Sequence, residues 1–248
     1  MKQLSCPVCG NNAFALDVVD FNKSCEEARG KFLPLAGVPV YYYLCGNCEF
    51  CFAPEFGEWT LEQFAEKIYN NRYVDVDPDY LAVRPQANAE NVTTAFKGKK
   101  DFIRHLDYGG GNGMLSDILK QENWDSTSYD QFVNTDIDIS GLGKFNLITA
   151  FEVFEHVPDV NTLMSQLNLL LEDEGIVLFS TLLSDGHIKR NQRISWWYAS
   201  PRNGHISLFS QSSLAMLAKK YNFNAGSFSQ NMHLLFRENT PEWAKHLF

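Results

Sequence analysis

The chain has 248 residues, 45% hydrophobic and 14% aromatic, with 21 basic and 30 acidic side chains. This composition excludes a disordered or collagen-like chain, and the net charge of −9 argues against nucleic acid or an anionic membrane as the main partner. Because no apolar run reaches the roughly 18 residues of a membrane helix and the first residues resemble no export signal, we expect a cytoplasmic protein that does not bind membranes.

All six cysteines lie in the first 51 residues, and four of them form two C-x-x-C pairs. One pair is followed by glycine and the other contains it, as in knuckle turns that point two thiolates at one metal ion. The predicted ligands of a four-sulfur zinc site are Cys6, Cys9, Cys45 and Cys48. Four thiolates leave no position open for a substrate, so the Zn²⁺ in this zinc-ribbon module, residues 1–58, is predicted to be structural. We expect Cys25 and Cys51 to be packed thiols.

The charge of the ribbon bears on its partner. Residues 1–60 carry four basic and seven acidic side chains, and a zinc ion with four thiolates adds about two negative charges. Tyr41, Tyr42 and Tyr43, beside the second knuckle, are more typical of a small core than of a base-stacking surface. A nucleic-acid partner is therefore disfavoured.

A helical connector is predicted over residues 59–98. Thr60 and Gln63 have the spacing of a capping box, and the apolar residues that follow share one helical face. Residues 70–85, rich in Asp, Tyr and Pro, predict a functional loop. A second helix is predicted over residues 85–96, because proline suits its first turn and glycine its end.

Strands and helices alternate in the remaining residues, 99–248. The predicted strands are residues 102–108, 127–129, 145–150, 176–182, 223–229 and 233–237, and the predicted helices are residues 114–121, 158–172 and 210–221. The fourth strand is an unbroken apolar run, as a sheet covered on both faces requires. We therefore predict an α/β domain with a Rossmann-like sheet, helices on both faces and a ligand at the carboxyl ends of the strands.

Glycines at positions 109, 111 and 113 define a glycine loop, residues 109–113, that turns the first strand of this domain into a helix. A P-loop would place Lys after the turn, and a nicotinamide-cofactor turn would place glycine at position 114, where methionine stands. The spacing suits a ligand with one small anionic group. Asp130 closes the next strand, where its two oxygens can accept from both hydroxyls of a ribose. A ribose with an amino-acid carboxylate describes S-adenosylmethionine.

Two blocks resemble a known family. Residues 106–113, Leu-Asp-Tyr-Gly-Gly-Gly-Asn-Gly, resemble motif I of the class I S-adenosylmethionine-dependent methyltransferases, and residues 145–158 are similar to the fourth-strand block of that superfamily. The cofactor-binding residues that the resemblance implies are Tyr108, Gly109, Gly110, Gly111, Asp130, Gln131, Ala150, Phe151 and Glu152. In such families Glu155 and His156 begin the next helix and are structural more often than catalytic.

One segment departs from the family pattern. Residues 131–144 occupy a stretch in which the superfamily usually fits a helix, a strand and an acid that contacts the adenine. Asp136 or Asp138 is the candidate for that acid. The third strand of the sheet is expected to be short or missing.

Residues 184–209 interrupt the core pattern and are predicted to face the substrate. This insertion is dense in polar and aromatic groups, and Arg202 and His205 stand on either side of a bend that a glycine permits. A neutral imidazole is a fitting base for an acceptor hydroxyl or an acidic carbon, so His205 is the predicted catalytic residue. Arg202 is predicted to clamp a carboxylate or phosphate of the acceptor, and Tyr73 and Tyr198 are further candidates for substrate binding.

A narrower resemblance adds support for His205. The two-knuckle module, the connector sequence Ile-Tyr-Asn-Asn-Arg-Tyr at residues 68–73 and the sequence Gly-His-Ile-Ser-Leu-Phe-Ser at residues 204–210 together resemble zinc-containing methyltransferases of sugar and polysaccharide pathways. In the sugar C-methyltransferases, a His in a comparable H-x-S-x-F-S stretch serves as base. Their neighbouring acidic residue is replaced here by Gly204.

The favoured hypothesis is methyl transfer from S-adenosylmethionine to a small, anionic acceptor such as a glycan or nucleotide-sugar precursor. Two alternatives remain open. One is RNA methylation, because some rRNA methyltransferases also join a zinc module to this core. The other is a non-catalytic interaction protein, in which the ribbon docks a partner and the core is a relic.

Overall fold

A computed structural model describes residues 3–247. In chain order the strands are β1 Gln3–Ser5, β2 Asn12–Asp20, β3 Pro39–Cys45, β4 Cys51–Phe52, β5 Arg104–Tyr108, β6 Asp125–Tyr129, β7 Phe145–Phe151, β8 Leu171–Ser180, β9 Ser207–Leu208, β10 Asn224–Ser227 and β11 Met232–Phe236. The α-helices are α1 Leu61–Lys67, α2 Val83–Ala95, α3 Met114–Gln121, α4 Val160–Leu170 and α5 Gln211–Lys220. Short 3-10 helices span Cys25–Arg29, Pro54–Glu58, Tyr73–Asp75, Ile139–Leu142, Phe154–His156, Pro201–Asn203 and Glu242–Leu247. None of the helices in the described part of the chain has the length and apolar character of a membrane span.

The chain divides into two compact units. The first, the ribbon unit, contains residues 1–78, 155–161 and 182–217, and the second, the sheet unit, contains residues 79–154, 162–181 and 218–248. The predicted division at residues 58 and 98 differs from this grouping, because the predicted insertion contributes β9 to the antiparallel sheet of the ribbon unit, in the order β1-β2-β3-β4-β9.

In the ribbon unit, α1 begins where the sequence predicts it. The Thr60 hydroxyl accepts from the Gln63 amide, and the Gln63 side chain accepts from the Thr60 amide, so the predicted capping box is present. The adjoining aromatic side chains of Phe56, Trp59 and Phe64 pack on one another. The predicted functional loop that follows contains the 3-10 helix over Tyr73–Asp75.

The sheet unit has the order β10-β11-β8-β7-β5-β6. The four strands β6, β5, β7 and β8 are parallel, and β11 and β10 add antiparallel partners at one edge. Every residue of β7 is buried, as a central parallel strand requires. This mixed sheet confirms the predicted α/β class, and α3 coincides with its predicted bounds.

The third strand that the superfamily usually carries is absent here. Residues 131–144, all within the described part of the chain, hold turns and one 3-10 helix, Ile139–Leu142. The segment is too short for a helix and a returning strand, and β6 therefore forms the edge of the sheet. Asp138 caps the 3-10 helix through the Ser140 amide, and Asp136 is exposed.

Candidate functional site

The glycine loop joins β5 to α3 in the sheet unit. Gly109 and Gly111 have left-handed φ angles of 74° and 55°. A Cβ on Gly109 would lie 2.5 Å from the Val153 side chain, and one on Gly110 would lie 2.3 Å from the Ser128 hydroxyl. A Cβ on Gly111 would meet nothing within 4 Å. Packing therefore demands the first two glycines, whereas the third leaves bare backbone that a ligand can approach.

Asp130 follows β6 and is fixed by the backbone around it. Its Oδ2 accepts from the Gly111 amide at 3.0 Å, and its Oδ1 accepts from the Phe132 amide at 2.8 Å. Each carboxylate oxygen can accept a further hydrogen bond. The arrangement can receive two hydroxyls of a ribose, and the neighbouring Gln131 is exposed.

Asp107, which sequence reasoning did not assign to the site, lies under the glycine loop. A Cβ on Gly110 would be 2.5 Å from its Oδ2, and its Oδ1 accepts from the Thr149 hydroxyl at 2.9 Å. Burial raises the pKa of Asp107 to about 7, with repulsion from Asp130 acting in the same direction and the Thr149 hydrogen bond opposing it. The signal in the sequence was an acid next to the last residue of a strand that leads into three glycines.

The predicted far side of the cofactor site lies at the end of β7. Glu152 has a left-handed φ of 54°, and both its amide and its carboxylate bond the Ser180 hydroxyl at 2.8 Å. A non-glycine residue in this conformation is strained, and such strain concentrates at functional sites. Ala150 and Phe151 are buried, as is Tyr108, whose hydroxyl donates to Gln166. Glu152 therefore presents the most surface of these four predicted residues.

The structure brings the four predicted zinc ligands together in the ribbon unit. Their sulfurs all lie within 4.8 Å of one another, and the Sγ–Sγ distances are 3.6 Å for Cys6–Cys48 and 3.5 Å for Cys9–Cys45. The hydrogen bond with the Cys48 thiol lowers the pKa of Cys6 to about 5. A zinc ion with bonds of roughly 2.3 Å would place its four sulfurs roughly 3.8 Å apart. The donor set and its spacing therefore fit Zn²⁺.

The two other cysteines differ in their surroundings. Cys51 is completely buried, which raises the pKa of its thiol, as expected of a packed side chain. Cys25 contacts polar groups, with its Sγ 3.0 Å from the Ser200 hydroxyl and 3.7 Å from Nδ1 of His205.

His205 is held by the backbone of its own segment. Its Nδ1 lies 2.8 Å from the Tyr198 carbonyl oxygen, and the two rings are 4.1 Å apart. Because a carbonyl oxygen only accepts, Nδ1 must carry the proton, and the lone pair of the neutral ring is on Nε2. This tautomer gives His205 one nitrogen that can take up a proton.

Three further residues of the ribbon unit surround His205. The ring of His156 is 4.8 Å from that of His205, and its Nδ1 lies 3.2 Å from the Tyr69 hydroxyl. The buried Glu155 carboxylate accepts from the Tyr198 hydroxyl. Ligand atoms of Glu155, His156 and His205 all lie within 4.8 Å of one another, so the two residues expected to be structural lie beside the predicted catalytic residue.

The predicted acceptor-binding residues are bound to protein groups. The Arg202 guanidinium donates to the Ile68 carbonyl at 3.0 Å, and burial lowers its pKa. The Tyr73 hydroxyl donates to the Asn203 carbonyl at 3.2 Å. Both side chains are buried. These bonds fix the segment that carries His205, and binding of an acceptor remains a proposal for both residues.

Comparison with protein families decides the class. A family model described as a methyltransferase domain matches residues 80–227, more than half of the chain. The chain belongs to this methyltransferase family. The predicted enzyme class is confirmed, and most of the matched region lies in the sheet unit that carries the glycine loop.

Individual methyltransferases resemble the chain over smaller parts or at lower identity. A ubiquinone biosynthesis O-methyltransferase of Bordetella avium is 29% identical over 103 residues, covering 32% of this chain and 42% of the relative. The match thus spans less than half the length of that relative.

Two solved structures from Burkholderia thailandensis are also similar. An O-methyltransferase family protein has a TM-score of 0.51 at 13% identity, covering 73% of this chain and 64% of that protein. A 1,6-didemethyltoxoflavin-N1-methyltransferase with bound S-adenosylhomocysteine has a TM-score of 0.49 at 17% identity, covering 77% of this chain and 95% of that protein. The likeness to the O-methyltransferase family protein shows the fold alone.

Proposed function

We propose that this methyltransferase transfers the methyl group of S-adenosylmethionine to a hydroxyl oxygen of a small-molecule acceptor. The observation that carries the proposal is the Asp130 carboxylate, held by the Gly111 amide at the end of β6. A nucleoside needs an acceptor for its ribose hydroxyls beside open backbone for its charged end, and the glycine loop with Asp130 offers both.

The proposed cofactor residues divide by the part of the molecule that they would hold. Asp130 accepts from the ribose, and Gln131 lies beside it. The backbone of Gly109, Gly110 and Gly111 accommodates the amino-acid end, and Asp107 below supplies negative charge for its ammonium group. The remaining proposed contacts are Tyr108, Ala150, Phe151 and Glu152. When bound, the cofactor supplies an electrophilic methyl group on a sulfonium.

His205 is proposed to be the base. With donor and acceptor bound, its Nε2 lone pair would take the proton of the acceptor hydroxyl, and the Tyr198 carbonyl would steady the resulting imidazolium through Nδ1. Tyr198, Tyr73 and Arg202 are proposed to shape the acceptor site, since they fix the same segment. An O-methyltransferase reaction agrees with the described activity of the curated relative.

A zinc ion held by Cys6, Cys9, Cys45 and Cys48 is proposed to be structural. The observed sulfur spacing and the four-thiolate donor set support a closed tetrahedral site. Such an ion would clamp the turn after β1 to the turn after β3 and so complete the small sheet of the ribbon unit.

A glycan or nucleotide-sugar precursor is the proposed acceptor. Support comes from the two-knuckle module and the sequence at residues 204–210, which resemble methyltransferases of sugar pathways. RNA is the second candidate acceptor, but four basic and seven acidic residues in positions 1–60 leave the ribbon without a basic track.

The experiment supplies labelled S-adenosylmethionine with nucleotide-sugars, phenolic acceptors or RNA to wild type, His205→Asn and His205→Ala. Asn keeps a donor for the Tyr198 carbonyl but no base. We expect turnover with a small acceptor only, and a fall in kcat of about 10²–10⁴-fold in both variants with unchanged affinity for S-adenosylhomocysteine. Full turnover by His205→Asn would refute the base, and methylation of RNA alone would refute the acceptor class.

A further inference from the structure

A chain of buried hydrogen bonds runs through the sheet unit and ends at Asp107. The Ser116 and Ser126 hydroxyls are 2.8 Å apart, and Ser126 lies 2.7 Å from Nδ1 of His105. Nε2 of His105 lies 2.9 Å from the Thr149 hydroxyl, which donates to Asp107 at 2.9 Å. All five side chains are buried, and the proposed mechanism uses only the last.

The chemistry of these groups fixes the direction in which the hydrogen bonds of this buried chain are donated. The Thr149 hydroxyl donates its single proton to Asp107, so its oxygen must accept from Nε2 of His105. Burial lowers the pKa of His105 to about 3, which keeps the ring neutral. Its Nδ1 therefore accepts from Ser126, and Ser126 in turn accepts from Ser116. Every proton in the chain points toward the Asp107 carboxylate.

The end of the chain lies directly under the glycine loop. A Cβ on Gly110 would fall 2.5 Å from Oδ2 of Asp107, so the carboxylate and the loop backbone are in close contact. A rotation of the carboxylate would therefore displace the loop.

We propose that His105 is a positioning residue for the methyl donor, which acts through Thr149 to hold the Asp107 carboxylate, ionised, beneath the glycine loop. This inference rests on the proposed function, because it assumes that Asp107 faces the ammonium group of S-adenosylmethionine. Without the imidazole, the Thr149 hydroxyl is free to rotate toward another acceptor, and Asp107 loses the donor that stabilises its charge.

The titratable groups that bear on Asp107 come from the carboxyl ends of β5 and β6. Asp130, after β6, is the charged neighbour that opposes ionisation of Asp107. The phenols of Tyr108 and Tyr129 have pKa values raised by burial and remain neutral. Helix α3 and strand β7 contribute Ser116 and Thr149, whose hydroxyls do not titrate in the pH range of the test. If the affinity for S-adenosylhomocysteine changes with a pH midpoint near 7, the loss of that change in Asp107→Asn assigns it to Asp107.

The test is the pH dependence of S-adenosylhomocysteine affinity, measured by calorimetry between pH 5.5 and 8.5. Wild type should bind more tightly as Asp107 ionises. His105→Leu and the isosteric Thr149→Val should each raise the midpoint by about 1 pH unit, and the double variant should match either single one. His105→Gln, whose amide replaces Nε2–H, should restore the midpoint. Leu119→Ala, a core truncation in α3, should lower the melting temperature but leave the pH midpoint of binding unchanged.

Unmoved midpoints in both His105→Leu and Thr149→Val would overturn the inference, whatever happens to the affinity itself. Should His105→Leu fail to fold, Thr149→Val tests the same bond. If wild type does not bind S-adenosylhomocysteine, the proposed function fails. The action of His105 through Thr149 on Asp107 is then tested by carbon NMR of the Asp107 carboxyl group in the ligand-free protein. A higher titration midpoint of Asp107 in Thr149→Val than in wild type supports the inference, and identical midpoints overturn it.

Discussion

The two compact units assemble their candidate functional groups by different means. In the sheet unit, the groups stand at the ends of successive parallel strands, and backbone amides fix them, as Gly111 does for Asp130. In the ribbon unit, side chains from four separate stretches, near residues 25, 69, 155 and 205, meet in loops and short 3-10 helices. A site made by strand ends follows from local pattern, whereas a site made by side chains from loops depends on the whole packing of its unit.

Replacing Cys48 by Ser should abolish the proposed zinc site and unfold the small sheet, because structural zinc contributes on the order of 10 kcal/mol to folding. Zinc analysis and hydrogen exchange will measure this, with loss of protection expected in β2 and β3 and retained protection in β7.

Cys51→Ala is the matched control for the zinc ligand. Its thiol is buried but outside the four-sulfur cluster, so the zinc content should stay at one ion per chain. A Cys48→Ser protein with full zinc and intact exchange protection would contradict the structural role.

The buried acid of the sheet unit makes stability depend on pH. Because burial raises the folded-state pKa of Asp107 to about 7, the stabilising contribution of its protonated form is complete below about pH 4 and is lost as the pH rises through 7. Over that range Asp107→Asn should gain up to about 4 kcal/mol relative to wild type. Urea unfolding at pH 4.5 and 8 will measure the difference, and parallel pH profiles would refute it.

Crowding under the glycine loop predicts the next effect. Gly110→Ala would place a methyl group against the Ser128 hydroxyl and Asp107, at a cost of about 1–3 kcal/mol in the free energy of unfolding. Gly141→Ala is the control in the same unit, because its Cβ would meet nothing within 4 Å. Equal melting temperatures for the two variants would show that the loop tolerates the side chain.

The smallest effect concerns local structure in the ribbon unit. Thr60→Ala removes one half of the capping box of α1 and should cost about 1 kcal/mol. Thr60→Ser keeps the oxygen and should be near wild type in thermal unfolding. A greater loss in the Ser variant than in the Ala variant would argue that the methyl group, not the cap, matters.

The sequence predicted the parts of the molecule that follow from periodicity and local spacing. The α/β class of the sheet, the bounds of α3 and the clustering of four cysteines are of this kind. The pairing of the insertion with the ribbon sheet had no signal in the sequence, because a two-residue strand such as β9 leaves no periodic pattern. The hydrogen-bond chain from Ser116 to Asp107 also had no sequence signal, because its members are polar residues on three strands and a helix, spread over the 45 positions from His105 to Thr149.

His156 and Glu155 illustrate the same limit. Their sequence context is that of a helix start, and nothing local indicates that His156 lies 4.8 Å from the ring of His205. Tyr69 likewise reads as a connector aromatic, although its hydroxyl contacts the His156 ring. Such contacts arise from tertiary packing and become visible only in the folded unit.

Calorimetry with S-adenosylhomocysteine on zinc-replete protein tests the central claim, that the glycine loop and Asp130 hold the methyl donor. Wild type and Asp125→Asn, a change at the opposite end of β6, should bind with equal affinity. Asp130→Asn should bind at least 10-fold more weakly, because hydrogen bonds to a charged acceptor contribute about 1.5–3 kcal/mol. Wild-type protein that shows no binding at millimolar ligand, or an Asp130→Asn variant with full affinity, would contradict the account.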